Sequence, residues 1–220
     1  MSVDISGKGL TAVDASKFDG KTETIDLNGN ALTTLSPGTF DKCTALTQLD
    51  LYGNKIKDIP AGVIGGLKEL KNLNCFNNVM KKLPADIGGL EKLEEVNFSG
   101  NKMMMTTDPL FLGWGSVQVL NLYDNNLVRM GSLAPCVSLT ELRLYGNNLE
   151  DMPVISDVPG LTIFEIHKNR IAKVADDYFK KTPALERLSI WGNMLTALPS
   201  SLLECSALAG LQAQENPIER

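Results

Sequence analysis

The 220-residue sequence is poor in the residues that build most active and metal sites: it has one histidine, four cysteines and only 6% aromatic residues. Each shortage excludes something. One His cannot make a His-based metal cluster, and Cys43, Cys75, Cys136 and Cys205 lie far apart without CxxC spacing, so neither a metal nor a redox pair is expected. No phosphate-cradling glycine motif occurs, and no cofactor is expected. Basic charge is short as well, with 21 Lys and Arg against 26 Asp and Glu and a formal net charge of −5. That balance argues against nucleic acid and suits a basic partner. Long apolar runs are missing, since the stretch 109–120 is interrupted by Gly113, Gly115, Ser116 and Gln118 and is too short to span a bilayer. No membrane insertion is expected. The opening MSVDISGKGL has neither the basic nor the apolar part of a secretory signal, and with no disulfide pattern a cytoplasmic location is the expectation.

Two residue types are in excess, 32 Leu and 17 Asn, and both recur at a fixed period. Asn30, Asn54, Asn78, Asn101, Asn125, Asn147, Asn169, Asn193 and Asn216 follow one another at spacings of 22 to 24 residues. Around each stands the same apolar frame, as in Leu46, Leu49, Leu51, Asn54 and Ile56, or Leu139, Leu142, Leu144, Asn147 and Leu149. A weaker copy at the start has Val3, Ile5, Leu10 and Val13 in frame and Lys8 in the Asn position. Apolar and polar residues alternate through the frame, the period of a short strand with one buried face. Five residues beyond the Asn comes a further apolar position, occupied by Leu35, Ile59, Leu83, Met130, Met152, Val174 and Leu198. Pro60, Pro84, Pro153 and Pro199 follow directly and end the extended segment. One such unit cannot bury its apolar side alone, so neighbouring units must stack and share a core.

The frame LxxLxLxxNxL, repeated in register over essentially the whole chain, resembles the leucine-rich-repeat family. LPADIGGLEKLEEV and IPAGVIGGLKEL look like intracellular members of the Ras-suppressor and plant Ras-group type, whereas LSPGTFDKCTAL looks like the extracellular type. The resemblance implies an α/β horseshoe solenoid: a parallel β-sheet lines the concave face, and irregular, 3-10 or short helical segments form the convex one. Residues 1–220 read as one solenoid domain of about ten repeats, the first and last degenerate. It also implies that the nine asparagines form a structural ladder, and that the protein is a non-catalytic scaffold binding a partner in its concavity.

Subtracting core and ladder leaves the candidate site. Two residues before the ladder Asn the sequence reads Ser6, Asn28, Tyr52, Phe76, Ser99, Tyr123, Tyr145, His167, Trp191 and Gln214. With parallel strands about 4.8 Å apart, Tyr123 to Trp191 form an aromatic row, which Tyr52 and Phe76 extend beyond a gap at Ser99. Between the strand leucines, Asp4, Asp26, Asp50, Asn74, Asn97 and Asn121 precede Arg143, Glu165, Ser189 and Gln212, so the first half is acidic or amide-bearing. The candidate binding residues are the six aromatic-column side chains Tyr52, Phe76, Tyr123, Tyr145, His167 and Trp191, with Asp50, Arg143, Glu165 and Arg187 setting polar register. The partner is a protein or peptide, and a basic segment suits the acidic half. Carbohydrate recognition on the same face, or a targeting role within a larger multidomain protein, are the alternatives. His167, Glu165 and Ser189 are the one catalytic constellation, but an open sheet offers no oxyanion site, and no enzymatic activity is assigned.

Two irregularities remain. The stretch 101–117 carries Met103, Met104, Met105, Phe111 and Trp114, expected to pack on the convex side, and has Thr106 at an apolar position. The last repeat offers only Ala213 and Gln residues as cover, so the expectation is either that the chain continues natively beyond it or that it self-associates through that edge.

Overall fold

A computed structural model describes residues 1–155 and 158–219. Ten strands of three residues each form one parallel sheet in strict sequence order: β1 Ser2–Asp4, β2 Thr24–Asp26, β3 Gln48–Asp50, β4 Asn72–Asn74, β5 Glu95–Asn97, β6 Val119–Asn121, β7 Glu141–Arg143, β8 Ile163–Glu165, β9 Arg187–Ser189 and β10 Gly210–Gln212. Every pair is in the same register, so Leu49 lies beside Leu73 and Asp50 beside Asn74, and likewise along the sheet. The central residue of β2 to β9 is buried, and the residue two further on (Leu51, Cys75, Phe98, Leu122) continues the core. The return segments hold 3-10 turns at Ala15–Lys17, Ile87–Gly89, Asp108–Phe111, Tyr178–Lys181 and Ser200–Glu204; among the described residues none is an α-helix.

After each strand the chain turns sharply with positive φ at the residue before the ladder position. Glycine fills it at Gly29, Gly53, Gly100, Gly146 and Gly192, where L side chains are disfavoured. Asn77, Asp124, Lys168 and Glu215 adopt the same left-handed geometry without being glycine.

The turn brings the asparagine amide inside. Asn125 is typical: its Nδ2 donates to the Phe98 carbonyl of the preceding rung at 3.0 Å and to Leu122 and Tyr123 carbonyls of its own at 3.1 and 3.2 Å. Its Oδ1 accepts from the Met103 N–H of the preceding rung at 3.1 Å. The same set recurs at Asn54, Asn147 and Asn193. Asn30 accepts from both Lys8 and Leu10 N–H groups, both at 3.0 Å, tying down the degenerate first copy.

The Met-rich stretch divides. Met103, Phe111 and Trp114 are fully buried, and the Trp114 indole N–H donates to the Ile87 carbonyl at 3.2 Å. Thr106 is buried as well, because its hydroxyl accepts from the Gly131 N–H at 3.2 Å. Met104 and Met105 do not pack inward: they are 61% and 59% exposed, correcting the expectation. Their positions, three and four after the ladder Asn, are also exposed at Lys81, Lys82 and Arg129 of the neighbouring rungs and half-buried at Val128, so rung position outweighs hydrophobicity. At the C-terminal edge Leu211 and Leu203 are exposed, and Leu208, Ala213 and Ile218 are half-buried.

All four cysteines are free and buried, and burial pushes the Cys136 thiol up to about 12. Since the thiolate is the reactive form, a thiol-exchange reagent should modify them at the rate of unfolding; fast modification of the native protein would contradict this packing. Asn125→Ala should cost about 2–4 kcal/mol in denaturant unfolding, because it strands a buried N–H and buried carbonyls. Asn216→Ala, at the half-exposed last rung, should cost less, since water reaches the groups it frees. Equal losses would contradict burial as the cause.

Candidate functional site: the open concave face

Parallel sheets are normally covered on both faces, because their crossover segments pack on each side. Here the described residues of the return segments lie on one side, and among the described residues none covers the other face. It presents three columns: the first and third residue of each strand, and the residue two further on.

The aromatic column is more continuous than its sequence suggests. Tyr123 and Tyr145 are stacked with ring centroids 4.5 Å apart, Tyr145 and His167 at 4.5 Å, and His167 and Trp191 at 4.9 Å, with planes within 12° of parallel. Tyr52 stacks on Phe76 at 5.3 Å. The expected gap at Ser99 is closed: Phe76 and Tyr123 approach to 5.9 Å, tilted by 50°, over a fully buried Ser99. A Cβ on Gly100 would lie 2.9 Å from the Phe76 ring, so the glycine lets Phe76 lean across. Six rings thus form one spine. Parallel rings with centroids 4.5 Å apart cannot lie side by side; they overlap with an offset, each covering its neighbour's face. Ring edges and polar tips are what this spine offers. Burial, with Tyr123 and nearby acids adding, pushes the Tyr145 phenol up to about 12, which keeps it a donor. Lys168 holds its ammonium 5.0 Å from the Trp191 ring centroid despite the left-handed backbone it must adopt.

The strand column is organised by its own turns. Asp26, Asp50, Asn74 and Asn97 each use Oδ1 to accept the backbone N–H two residues on. The Ser99 hydroxyl also donates to Asn97. A free carboxylate oxygen therefore remains at Asp26 and Asp50, and a free amide N–H2 at Asn97. Burial raises the Asp50 carboxyl above its usual range; the Tyr52 N–H and the Asn74 amide oppose this, while Asp26 adds to it. Asp26, Asp50, Asn72, Asn74, Glu95 and Asn97 line a concavity of about 360 Å³.

Arg143 is held within the face by its neighbours. Its guanidinium pairs with Glu141 at 2.6 Å and Glu165 at 3.3 Å, and donates to Asn121 at 3.2 Å, so its charge is taken up within a cluster that holds two carboxylates in the middle of the face. Two strand neighbours reach the same group because the register places Asn121, Arg143 and Glu165 side by side. Arg187 is exposed and has no ion pair among the described residues. Ser189 lies beside His167, with Oγ 3.1 Å from Nδ1, but it donates to Gln212 Oε1 at 2.9 Å, leaving Nδ1 to donate. That is the reverse of what an attacking serine needs.

Residues 1–56 and 46–103 match the family described as Leucine rich repeat. Later rungs continue in the same register, so the matched repeat runs on through the sheet and the fold is a leucine-rich-repeat solenoid. Its fold is similar to that in the solved octameric complex of Latrophilin 3, Unc5D and FLRT2, where FLRT2 contributes leucine-rich repeats. That match has a TM-score of 0.81 at 22% identity, over 90% of this chain and 63% of that one. A complex of TLR13 with the RNA ssRNA13 matches with a TM-score of 0.78 at 20% identity, over 96% of this chain and 32% of that one. A TDR receptor matches at 0.74 and 22%, over 98% and 43%. The chain spans less than two thirds of each of these, and at such identities the likeness is one of fold. No curated protein matches the sequence. The TLR13 complex corrects the exclusion of nucleic acid in one respect: this architecture does not itself exclude RNA.

Burial lowers the His167 pKa below its ordinary 6.5, opposed by Glu165 and Asp124, with Lys168 adding to the lowering. The unfolded chain therefore takes up its proton first, and stability falls as pH drops from about 6.5 to the folded value, then levels. His167 is the single histidine, so one NMR titration reads it directly. A midpoint at or above 6.5 would contradict its enclosure between Tyr145 and Trp191.

Proposed function

We propose that this protein is a non-catalytic scaffold that binds a partner protein or peptide across the open concave face. The six-ring spine supports this reading most directly: it is a contiguous, half-exposed aromatic strip on a sheet face that none of the described residues covers. Tyr52, Phe76, Tyr123, Tyr145, His167 and Trp191 form the contact strip. Asp50 and the concavity around it receive a basic segment of the partner, and Arg187 and Lys168 supply the opposite charge at the far end. Arg143 and Glu165 rigidify the middle of the face. The FLRT2 complex supports a protein partner by analogy of fold, and the acidic concavity does not favour a polyanion such as RNA.

The stacking weighs against carbohydrate recognition, since sugars need free ring faces and Tyr145 and His167 have both faces covered. Four buried, unpaired thiols suit a reducing, cytoplasmic setting.

Tyr145→Ala with Trp191→Ala should abolish capture of partners from cell extract, while the circular dichroism of the sheet is retained. Losing the stacked contacts should also lower stability, by about 0.5–1.5 kcal/mol for each ring pair broken. Unchanged capture by the double variant would remove the spine from the binding site.

A further inference from the structure

The segment that leaves each ladder asparagine carries a second surface. The residue two beyond the Asn is buried (Ile56, Met80, Met103, Leu127), so those one and three beyond it point outward on the flank of the solenoid. This flank is itself paired rung to rung. The Lys55 N–H donates to Leu32, Val79 to Ile56, Lys102 to Met80, Asn126 to Met103 and Val128 to Met104, and Met105 forms a parallel bridge with Arg129. The four segments 55–58, 79–82, 102–105 and 126–129 therefore lie side by side.

Their composition opposes that of the chain. Among these sixteen residues are six bases, Lys55, Lys57, Lys81, Lys82, Lys102 and Arg129, and one acid, Asp58, in a protein whose net charge is −5. All six bases are exposed, and one ion pair, Lys82 with Asp58 at 3.7 Å, is formed among the described residues of the strip. In its midst stand the exposed Met104 and Met105, flanked by half-buried Val79 and Val128.

We propose that this flank docks on an anionic lipid surface. The charge is complementary, and its type is informative. Five of six bases are lysines, point charges on flexible stems suited to a diffuse layer of headgroups, whereas paired recognition of carboxylates favours arginine forks. Two protruding methionines among them can enter the headgroup boundary, as the apolar part of an interfacial anchor does. No aromatic side chain lies in the strip for stacking nucleic-acid bases. The acidic concave strands face a different side, so docking leaves the aromatic spine open beside the membrane. This surface is independent of the concave-face reading.

The test is co-sedimentation of the full chain with phosphatidylcholine vesicles, with and without about a third phosphatidylserine, over a range of salt concentrations. Binding is expected to the anionic vesicles and to weaken as salt rises. Lys81→Gln and Lys102→Gln should each lower the partition coefficient roughly fivefold, and both together about 25-fold. Met104→Ser with Met105→Ser should weaken binding without changing its salt dependence. Tyr145→Ala with Trp191→Ala should leave it unchanged. Equal binding to neutral vesicles, no binding, indifference to the lysine variants, or retention by RNA or an acidic polypeptide in place of vesicles would each overturn the proposal. The substituted side chains are exposed, and matched melting curves would show the variants folded.

Discussion

The structure depends on one interaction, the asparagine amide buried between successive rungs. A chain that turns sharply inward after each three-residue strand leaves backbone N–H and C=O groups away from water, where unpaired groups are costly. An amide has donors and an acceptor on a short stem, so one residue can bind carbonyls in its own rung and the one before, and take an N–H from that earlier rung. Aspartate would lack the donors, and leucine would offer nothing. The core is shared in the same way: no rung buries its leucines without its neighbours. Stability is therefore distributed along the chain, as expected of a quasi-one-dimensional fold.

That arrangement separates stability from recognition. Return segments bury one side of the sheet, and the strands leave the other to solvent, so its side chains need not serve packing. The rung spacing close to 4.8 Å is also near the centroid distance of offset-stacked rings, and aromatic residues in one column therefore become a spine. In the strand column, the turn claims one side-chain oxygen of each Asp or Asn, which determines whether an acceptor or a donor faces outward. The flank after the asparagine carries a third, chemically distinct surface. Acidic concavity, aromatic spine and basic flank are thus products of one repeat read at different offsets.

Much of this was legible in the sequence. The period, the inward positions, the nine asparagines and the columns of the concave face follow from spacing alone, because in-register stacking turns equal offsets into spatial neighbours. The packing role of Cys75, at a core leucine position, was readable for the same reason. The cover over Ser99 was not, since it depends on Phe76 leaning over a glycine in the next rung. Arg143 could be placed in its column, but its capture by Glu141 and Glu165 depends on the reach of three side chains meeting at one point. The methionine run misled because hydrophobicity suggested burial, whereas rung position exposes Met104 and Met105.

The sequence by itself determined the solenoid, its rung count and which residues line each face, since a repeat needs only its period to set them. Tertiary structure alone decided which side chains touch across rungs: the continuity of the spine, the capture of Arg143 by two carboxylates in the middle of the sheet and the grouping of lysines with two bare methionines. Most of these join residues some 20 or more positions apart, and their contacts depend on side-chain length and rotamer, which no periodicity encodes.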